Sequence, residues 1–382
     1  MHFAIAGAGF SGAVVGRELA EAGHQVTIHE QRDHVGGNCY TERDDASGVT
    51  LHRYGPHIFH TENERVWDYV NRFGEMVPFN HRVRTTVGGQ VYLMPINLLT
   101  INQLFGLSLS PTEAQEFIAE KADDSIDEPA NFEEQALKFV GREIYEAFFE
   151  GYTRKQWGLD PTQLPASILK RLPVRFNYDD SYFNHPHQAM PKDGYTPIVE
   201  AILDHPGITV HLSSDLDPAT ARDSFDHVIW TGPLDAWFGH AEGRLGYRTL
   251  DFERIDAEGD FQGCSVMNYG DQGVPYTRIA EHKHFAPWEE HERTVAFREY
   301  SRRCEPDDTP YYPIRLVDDK ELLDRYLALA GAEQRVSFVG RLGTYRYLDM
   351  DVTIGEALAA ADGMLAAIDA GDAIPAFFVD PS

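Results

Sequence analysis

Three glycines near the start of the chain, Gly7, Gly9 and Gly12, have the spacing of a loop that binds the phosphates of a dinucleotide. The first allows a tight turn, the second lets the backbone approach a pyrophosphate, and the third lets a helix pack closely on a strand. Glu30 follows at the end of the next predicted strand, where a carboxylate accepts hydrogen bonds from ribose hydroxyls. The strand–turn–helix context and this downstream acid favour a dinucleotide site over a purely structural glycine turn.

A second glycine pair, Gly36-Gly37, indicates which dinucleotide binds. The segment from Glu30 to Asn38 contains an acid, then Arg32, then the two glycines. This order resembles the extended nucleotide motif of FAD-containing oxidases and desaturases, and NAD dehydrogenases do not usually carry it. A tight turn with two glycines is the structural alternative, but FAD is the better prediction. The predicted cofactor-binding residues from both segments are Gly7, Gly9, Phe10, Ser11, Gly12, Glu30, Gln31, Arg32, Gly37 and Asn38.

A His-x-x-His pair, His57 and His60, invites a zinc interpretation. No cysteine and no further histidine lies at ligand spacing nearby, so we predict no metal site. The three cysteines, Cys39, Cys264 and Cys304, form neither a CxxC pair nor a disulfide framework, which favours a reducing cytoplasm.

The formal net charge of −28 excludes broad classes of partner. Such a surface repels nucleic acid and anionic lipid, and it lacks the basic stripe that phosphate-backbone binding needs. An anionic substrate would instead require a few arginines concentrated in a cleft. The apolar start of the chain lacks the basic leader of a signal peptide, and no apolar run reaches the roughly 18 residues of a membrane span.

The elements that must position these residues follow from periodicity. Residues 3–29 are predicted to form strand, glycine turn, helix and strand, and Thr61–Glu64 has a capping-box pattern before another helix. A hairpin is predicted around Gly88-Gly89. From about residue 108 to 180 the chain is predicted to be mostly helical, with starts at Ser110 and at Asn131, the latter opening a long helix. Further strands are predicted at 207–212, 227–230, 247–252, 264–269, 294–300 and 336–339, before a closing helix at 353–368.

Several long segments resemble one family closely: Gly55–Thr61, Phe148–Gly158, Leu164–Tyr182, Thr277–Phe285, Tyr311–Arg315 and Gly340–Asp351. On these motifs the chain resembles bacterial UDP-galactopyranose mutases over nearly its whole length. Together they are far more specific than the glycine motif.

The resemblance implies an α/β fold in which a Rossmann-type FAD-binding domain is interrupted by a helical-bundle domain and an antiparallel β-sheet domain. The expected FAD-binding domain comprises residues 1–76, 193–240 and 314–382. The expected sheet domain comprises 77–107, 180–192 and 241–313, and the helical domain, with a mobile substrate loop, 108–179. A homo-oligomer of two or more chains is also implied.

The resemblance further implies the reaction. Members interconvert UDP-galactopyranose and UDP-galactofuranose through a covalent adduct between N5 of reduced FAD and the sugar C1. The chemical alternative is an FAD-dependent oxidase or desaturase of the amine-oxidase type. Such an enzyme shares both glycine motifs, but its reaction does not explain why two arginines, Arg171 and Arg278, occur among tyrosines in these segments.

The family's site residues are carried over position by position. Arg171 and Arg278 match its two diphosphate-clamping arginines, and His57 and His60 lie in a loop that approaches the flavin. Since Phe148 and Phe149 are adjacent on a predicted helix, we expect that both cannot face one core. The implied substrate-binding residues are Phe148, Phe149, Tyr152, Thr153, Trp157, Tyr182, Asn268, Tyr312 and Tyr347, and Arg341, Asp349 and Met350 are expected to cradle the flavin and pyrophosphate together with His57.

Overall fold

The computed structural model describes residues 1–171, 174–314 and 320–381, and the side chains of these residues apart from Lys170 and Arg171. The strands are β1 (His2–Ala6), β2 (Gln25–His29), β3 (Thr41–Arg43), β4 (Thr50–His52), β5 (Phe59–Thr61), β6 (Met76–Pro78), β7 (Val83–Val87), β8 (Gln90–Met94), β9 (His187–Pro191), β10 (Ile208–His211), β11 (His227–Trp230), β12 (Tyr247–Glu258), β13 (Val266–Tyr269), β14 (Arg278–Glu281), β15 (Arg293–Arg303), β16 (Tyr312–Pro313) and β17 (Val336–Phe338).

The helices are α1 (Phe10–Glu21), α2 (Glu64–Asn71), α3 (Leu98–Phe105), α4 (Pro111–Lys121), α5 (Phe132–Val140), α6 (Arg142–Ile144), α7 (Gly151–Trp157), α8 (Tyr195–Leu203), α9 (Pro218–Ser224), α10 (Leu234–Trp237), α11 (Lys320–Ala332), α12 (Gly340–Gly343) and α13 (Met350–Ala370). A π-helical turn, Tyr145–Glu150, lies between α6 and α7.

A parallel sheet with the order β10-β2-β1-β11-β17 forms the first half of the fold. Its central strand β1 is almost wholly apolar, because helices on both sides leave a parallel sheet no solvent-facing surface. Helices α1 and α13 pack against one another beside it. The predicted Rossmann-type α/β class is confirmed, and the carboxyl ends of β1, β2 and β11 meet at one edge.

A larger sheet has the order β16-β12-β15-β14-β13-β7-β8. Its strands pair antiparallel, except that β13 runs parallel to β7. The hairpin predicted around Gly88-Gly89 is confirmed as the turn between β7 and β8. The longest pairing, between β12 and β15, extends from Arg248 opposite Arg303 to Glu258 opposite Arg293.

The long helix predicted from Asn131 is wrong, because it ends at Val140. Gly141 follows with φ 77° and ψ 173°, a conformation that is not helical. A Cβ at this position would collide with the carbonyl oxygen of Lys121, so the chain approaches α4 too closely to continue its turn. Helicity resumes in α6, the π-helical turn and α7.

Helix α2 is capped differently from the prediction. The side chain of Asn63, rather than a Thr61–Glu64 box, accepts from the N–H groups of Arg65 at 3.0 Å and Val66 at 3.4 Å. Thr61 instead accepts from the backbone N–H of Asn63 at 3.0 Å. The helix start predicted at Ser110 is confirmed and has a complete capping box. Within the described part of the chain, no helix combines the length and apolar content needed to cross a bilayer.

Candidate active site

A cleft of about 1230 Å³ opens at the carboxyl ends of β1, β2 and β11. This edge is where ligands bind in open α/β sheets, because the strand-to-helix loops diverge there. Predicted cofactor residues that line the cleft are Gly7, Gly9, Phe10, Ser11, Glu30, Gln31, Arg32, Gly37, Asn38, His57, Arg341 and Met350.

The two predicted glycine motifs form one surface within this cleft. Gly9 and Gly37 pack backbone to backbone, since a Cβ added to Gly37 would lie 3.1 Å from the Cα of Gly9. Gly7 adopts φ 100°, which turns the chain sharply before α1. Gly12 lies beneath, where a Cβ would collide with the carbonyl oxygen of Gly7. The N-terminus of α1 is therefore free to face an anion in the cleft.

Glu30 and Arg32 place opposite charges on the cleft wall. Glu30 is 5% exposed and accepts from the backbone N–H groups of Ala8 at 2.8 Å and Arg32 at 3.0 Å. The guanidinium of Arg32 lies 4.2 Å from the centre of the Tyr54 ring and donates to Asn38 Oδ1 at 2.8 Å. Its buried Nη1 has no hydrogen-bond partner among the described residues. An unsatisfied guanidinium N–H beside glycine backbone suits a pyrophosphate, so the residues present fit FAD.

Arg278 and Glu299 form an ion pair on the larger sheet, in which the carboxylate is buried and the arginine side chain is 22% exposed. They lie opposite one another on β14 and β15, and Nε and Nη2 of Arg278 both approach Glu299 Oε2 at 2.8 Å. Glu299 is only 2% exposed. Burial works to lower the pKa of Arg278, but the attraction of Glu299 outweighs it and holds that pKa above its ordinary value. The guanidinium therefore keeps its charge and a fixed orientation.

Tyrosines predicted to bind substrate surround this arginine. Tyr152 in α7, Tyr182 and Tyr312 all interact electrostatically with Arg278. Burial is the largest cause in each case: it raises the pKa of Tyr152 and of Tyr182, and it raises the pKa of Tyr312 to about 12. At neutral pH these side chains are thus neutral phenols, each with an O–H group that can donate a hydrogen bond.

Arg341 joins the tyrosine group to the dinucleotide cleft. Its guanidinium lies 5.7 Å from the ring centre of Tyr312 and 5.1 Å from that of Tyr347, and it also lines the cleft. The rings of Tyr312 and Tyr347 stack at 5.6 Å. Asp349 lies next to this group, immediately before α13. The predicted substrate and cofactor residues are therefore neighbours.

The two predicted histidines have different surroundings. His57 lines the cleft, and its Nδ1 donates to the carbonyl oxygen of Gly55 at 2.9 Å. Burial, followed by repulsion from Arg341, lowers the pKa of His57 to about 4, so the ring is neutral at physiological pH.

His60 lies in β5 and is not among the residues that line the cleft. Its Nδ1 is 2.8 Å from Nδ1 of His185, and its ring stacks on Phe183 at 3.7 Å. Burial lowers the pKa of His60, and the nearby carboxylates of Asp349 and Asp351 oppose that shift. In the described chain, His57 and His60 belong to no cluster of three metal-ligating side chains.

The expectation that Phe148 and Phe149 cannot share a core is wrong. They are 6% and 4% exposed and belong to the same hydrophobic core, packed edge-on against Tyr92 and Phe132 respectively. They occupy the π-helical turn, whose wider coil brings consecutive side chains closer in angle than an α-helix does.

The remaining predicted substrate residues lie on two adjacent elements. Thr153, buried, and Trp157, half-buried, are in α7, while half-buried Asn268 lies on β13 opposite Arg278. The side chain of Arg171 lies outside the described residues, so its predicted contact with diphosphate stays a prediction.

Sequence reasoning missed two kinds of site residue. Glu299 is an acid in an otherwise ordinary strand pattern, and only its register opposite Arg278 shows what it does. The segment from Thr231 to Pro233, together with Asp235 and Ala236, and the segment from Arg303 to Pro310 also line the cleft. The first had a usable signal, because it directly follows the predicted parallel strand at 227–230.

Comparisons with known proteins agree with this geometry. A family model described as UDP-galactopyranose mutase matches residues 147–347, and an NAD(P)-binding Rossmann-like domain matches residues 5–73. A probable UDP-galactopyranose mutase of Klebsiella pneumoniae is 58% identical over 98% of this chain and 97% of its own length. A dTDP-fucopyranose mutase of Escherichia coli is 51% identical over 94% of this chain and 96% of its own length.

The fold agrees as well. The crystal structure of a reduced UDP-galactopyranose mutase superposes with a TM-score of 0.75 at 18% identity, covering 96% of this chain and 95% of that one. The match over nearly the whole length to relatives of high identity decides the assignment. This chain belongs to the UDP-galactopyranose mutase family of isomerases.

Proposed function

We propose that this protein interconverts UDP-galactopyranose and UDP-galactofuranose and requires FAD in its reduced form. The observation that carries the proposal is the Arg278–Glu299 pair, which lies among protonated tyrosines next to a dinucleotide cleft. An acidic protein that concentrates guanidinium and phenol donors at one place has a site for an anion. The family membership identifies that anion as a nucleoside diphosphate sugar.

The cleft residues would hold FAD by its phosphates and ribose. Arg32 and the N-terminus of α1 would contact the pyrophosphate, and Glu30 has lone pairs left for ribose hydroxyls. When bound and reduced, the flavin supplies a nucleophilic nitrogen, N5, for attack on the sugar C1. The N-terminus of α13, next to Met350, would favour the negative charge of the reduced ring.

Arg278 would bind the diphosphate throughout the reaction. Its fixed orientation allows charge-assisted hydrogen bonds that strengthen as charge develops on the leaving oxygen. Tyr152, Tyr182 and Tyr312 would donate O–H hydrogen bonds to the same group, because burial keeps all three protonated. We propose Arg171 as the second clamping arginine.

His57 has a limited role in proton transfer. Its Nδ1–H is already donated to Gly55, so the neutral ring offers Nε2 as an acceptor. It would therefore orient a donor on the cofactor or sugar rather than carry a positive charge.

The quaternary state, cellular location and domain division are also proposals. A homo-oligomer in the cytoplasm is supported by family membership and by the three free cysteines. The division into an FAD-binding domain, a sheet domain and a helical domain is supported by the strand orders of the two larger sheets. Light scattering of the purified protein would determine the number of chains.

A second candidate substrate is dTDP-fucopyranose, favoured by the 51% identity to a mutase of that name. The test is therefore a comparison. Purified protein is incubated with UDP-galactofuranose or dTDP-fucofuranose, with and without dithionite, and the products are separated by chromatography while peroxide is measured.

We expect conversion of the UDP-sugar to its pyranose form only after reduction, with no peroxide. Faster conversion of the dTDP-sugar would assign that substrate instead. Peroxide release coupled to substrate-driven flavin reduction, without isomerisation, would favour an oxidase.

A further inference from the structure

Lys155 lies in α7 and connects that helix to the turn of the hairpin formed by β13 and β14. Its ammonium donates to three backbone carbonyl oxygens: Tyr269 at 2.5 Å, Tyr276 at 3.1 Å and Asp271 at 3.0 Å. The carboxylate of Asp271 is engaged elsewhere, accepting from the backbone N–H of Gly88. All three N–H groups of the ammonium thus donate to backbone carbonyl oxygens.

The two connected elements carry the residues proposed to bind the nucleotide diphosphate. Helix α7 contributes Tyr152 and Trp157, and the hairpin contributes Asn268 and Arg278, which pair across β13 and β14. A change in the separation of helix and hairpin would alter the distance between Tyr152 and Arg278 directly.

The backbones of helix α7 and the hairpin are in close contact and leave no room for an added side chain at Gly151. A Cβ on Gly151 would collide with the carbonyl oxygen of Gly270, so no side chain separates the two backbones. Gly270 is itself held by its N–H bond to the carbonyl oxygen of Thr86 at 3.0 Å. Lys155, one turn further along the helix, fixes the second point of this contact.

We propose that Lys155 is a positioning residue that sets the spacing between Tyr152 and the hairpin residues Asn268 and Arg278, and thereby the affinity for the nucleotide diphosphate. This inference rests on the proposed function of the same site. Three oriented carbonyl acceptors match the three donors of an ammonium, and no neutral side chain supplies three.

Deprotonation gives the role a distinct pH signature. Burial lowers the pKa of Lys155 to about 8, against the opposing attraction of Asp271. Among the described residues, three others with titratable side chains also hydrogen-bond to Lys155: the Nη2 of Arg248 approaches its carbonyl oxygen at 3.5 Å, and Tyr269 and Tyr276 accept from its ammonium through their backbone carbonyls. Burial raises the pKa of Tyr269 to about 12, so this phenol stays neutral when Lys155 titrates. Above pH 8 a neutral amine has two N–H groups for three carbonyls.

The experiment compares Lys155→Met, Lys155→Arg and the control Lys192→Met, which removes an exposed lysine paired with Glu75 at the surface. The dissociation constant of UDP, KM and kcat for UDP-galactofuranose, and bound FAD are measured at pH 7, and the UDP constant again up to pH 9. For Lys155→Met we expect a rise of about tenfold or more in the UDP constant and in KM, with kcat changed by less than about threefold and FAD retained.

In the wild type we expect UDP affinity to decline above pH 8, as Lys155 loses its proton. The arginine of Lys155→Arg keeps its charge at every pH tested, so we expect this variant to have much of the wild-type affinity at pH 7 and no such decline. Unchanged UDP affinity in Lys155→Met would overturn the inference. A fall in kcat and in bound FAD as large as the fall in UDP affinity would overturn it as well. If Lys155→Met does not fold, the pH profile of Lys155→Arg decides: a flat profile supports the role and a wild-type decline contradicts it. A wild-type protein that binds UDP without turnover would refute the proposed function. The UDP affinities of the Lys155 variants relative to wild type would still decide the inference.

Discussion

Individual residues in this site are constrained by burial more than by local sequence. Arg278 and Glu299 illustrate the balance, because each charge loses solvation when the sheet packs. Removing the guanidinium leaves the Glu299 carboxylate buried and uncompensated, which typically costs roughly 3–5 kcal/mol. The pair therefore has to be considered as a unit in which Glu299 fixes the direction of Arg278.

We predict that Arg278→Ala lowers turnover by at least about a hundredfold and also lowers the thermal midpoint, while FAD remains bound. Arg278→Lys should recover part of the midpoint but little of the turnover, because an ammonium lacks the planar set of donors. The control is Arg298→Ala on the same sheet, whose partner Glu253 is half exposed. Turnover of Arg278→Ala close to wild type would remove Arg278 from the diphosphate site.

At the scale of elements, a single glycine divides the helical region. Gly141 ends α5 against α4, and this break sets the direction of α6, the π-helical turn and α7. Tyr152 and Trp157, which are predicted to bind substrate, therefore depend on a backbone conformation some distance from them. No periodicity in the side chains reports this conformation, because it is imposed by contact with Lys121.

We predict that Gly141→Ala destabilises the fold by roughly 1–3 kcal/mol, since alanine rarely adopts this conformation and its methyl group would meet the Lys121 carbonyl. Differential scanning calorimetry should show a lower midpoint. The matched control is Gly331→Ala within α11, where a Cβ has open space, and we expect it to be neutral or slightly stabilising. Equal midpoints for both variants would contradict the proposed cause of the helix break.

At the scale of the whole molecule, the core contains several neutral imidazoles. His52, His81, His227 and His282 are each at most 4% exposed. Burial is the main cause that lowers the pKa of His81 and of His282 to about 3, and that of His227 to about 4. Burial also lowers the pKa of His52 well below its ordinary value.

We predict that the free energy of unfolding falls as the pH decreases from 6.5 to 5. In this window the unfolded chain binds protons at histidine, whose ordinary pKa is about 6.5, while the folded chain does not. Well below pH 6.5, each such histidine contributes roughly 1.4 kcal/mol per pH unit. Above pH 6.5 both states are neutral and the contribution vanishes.

Urea unfolding at several pH values measures this slope. His81→Gln, which cannot titrate, should reduce the slope by about one proton between pH 6 and 5. An unchanged slope in that variant would show that His81 accepts a proton in the folded state.

Some features of this fold are visible in the amino-acid sequence, and others are not. Gly7, Gly9 and Gly12 predicted the dinucleotide loop, because turn geometry and close packing are local demands that side-chain size reveals. Phe148 and Phe149 were misjudged, because a π-helical turn differs from an α-helix by an insertion that leaves no mark on hydrophobic periodicity. Asn63 rather than Thr61 caps α2. Both are good cap residues and they lie within one turn of each other, so the sequence does not distinguish between them.

The Rossmann-type opening, the hairpin at Gly88-Gly89 and the family can all be predicted from the amino-acid sequence, because each depends on residues close together in the chain. Contacts between groups distant in the chain appear only in the folded molecule: Glu299 with Arg278, Lys155 with the hairpin carbonyls, and Gly37 with Gly9. Burial and electrostatic energy depend on surroundings assembled from several elements. The orientation and protonation state of these groups are therefore set by packing, which no local pattern in the chain records.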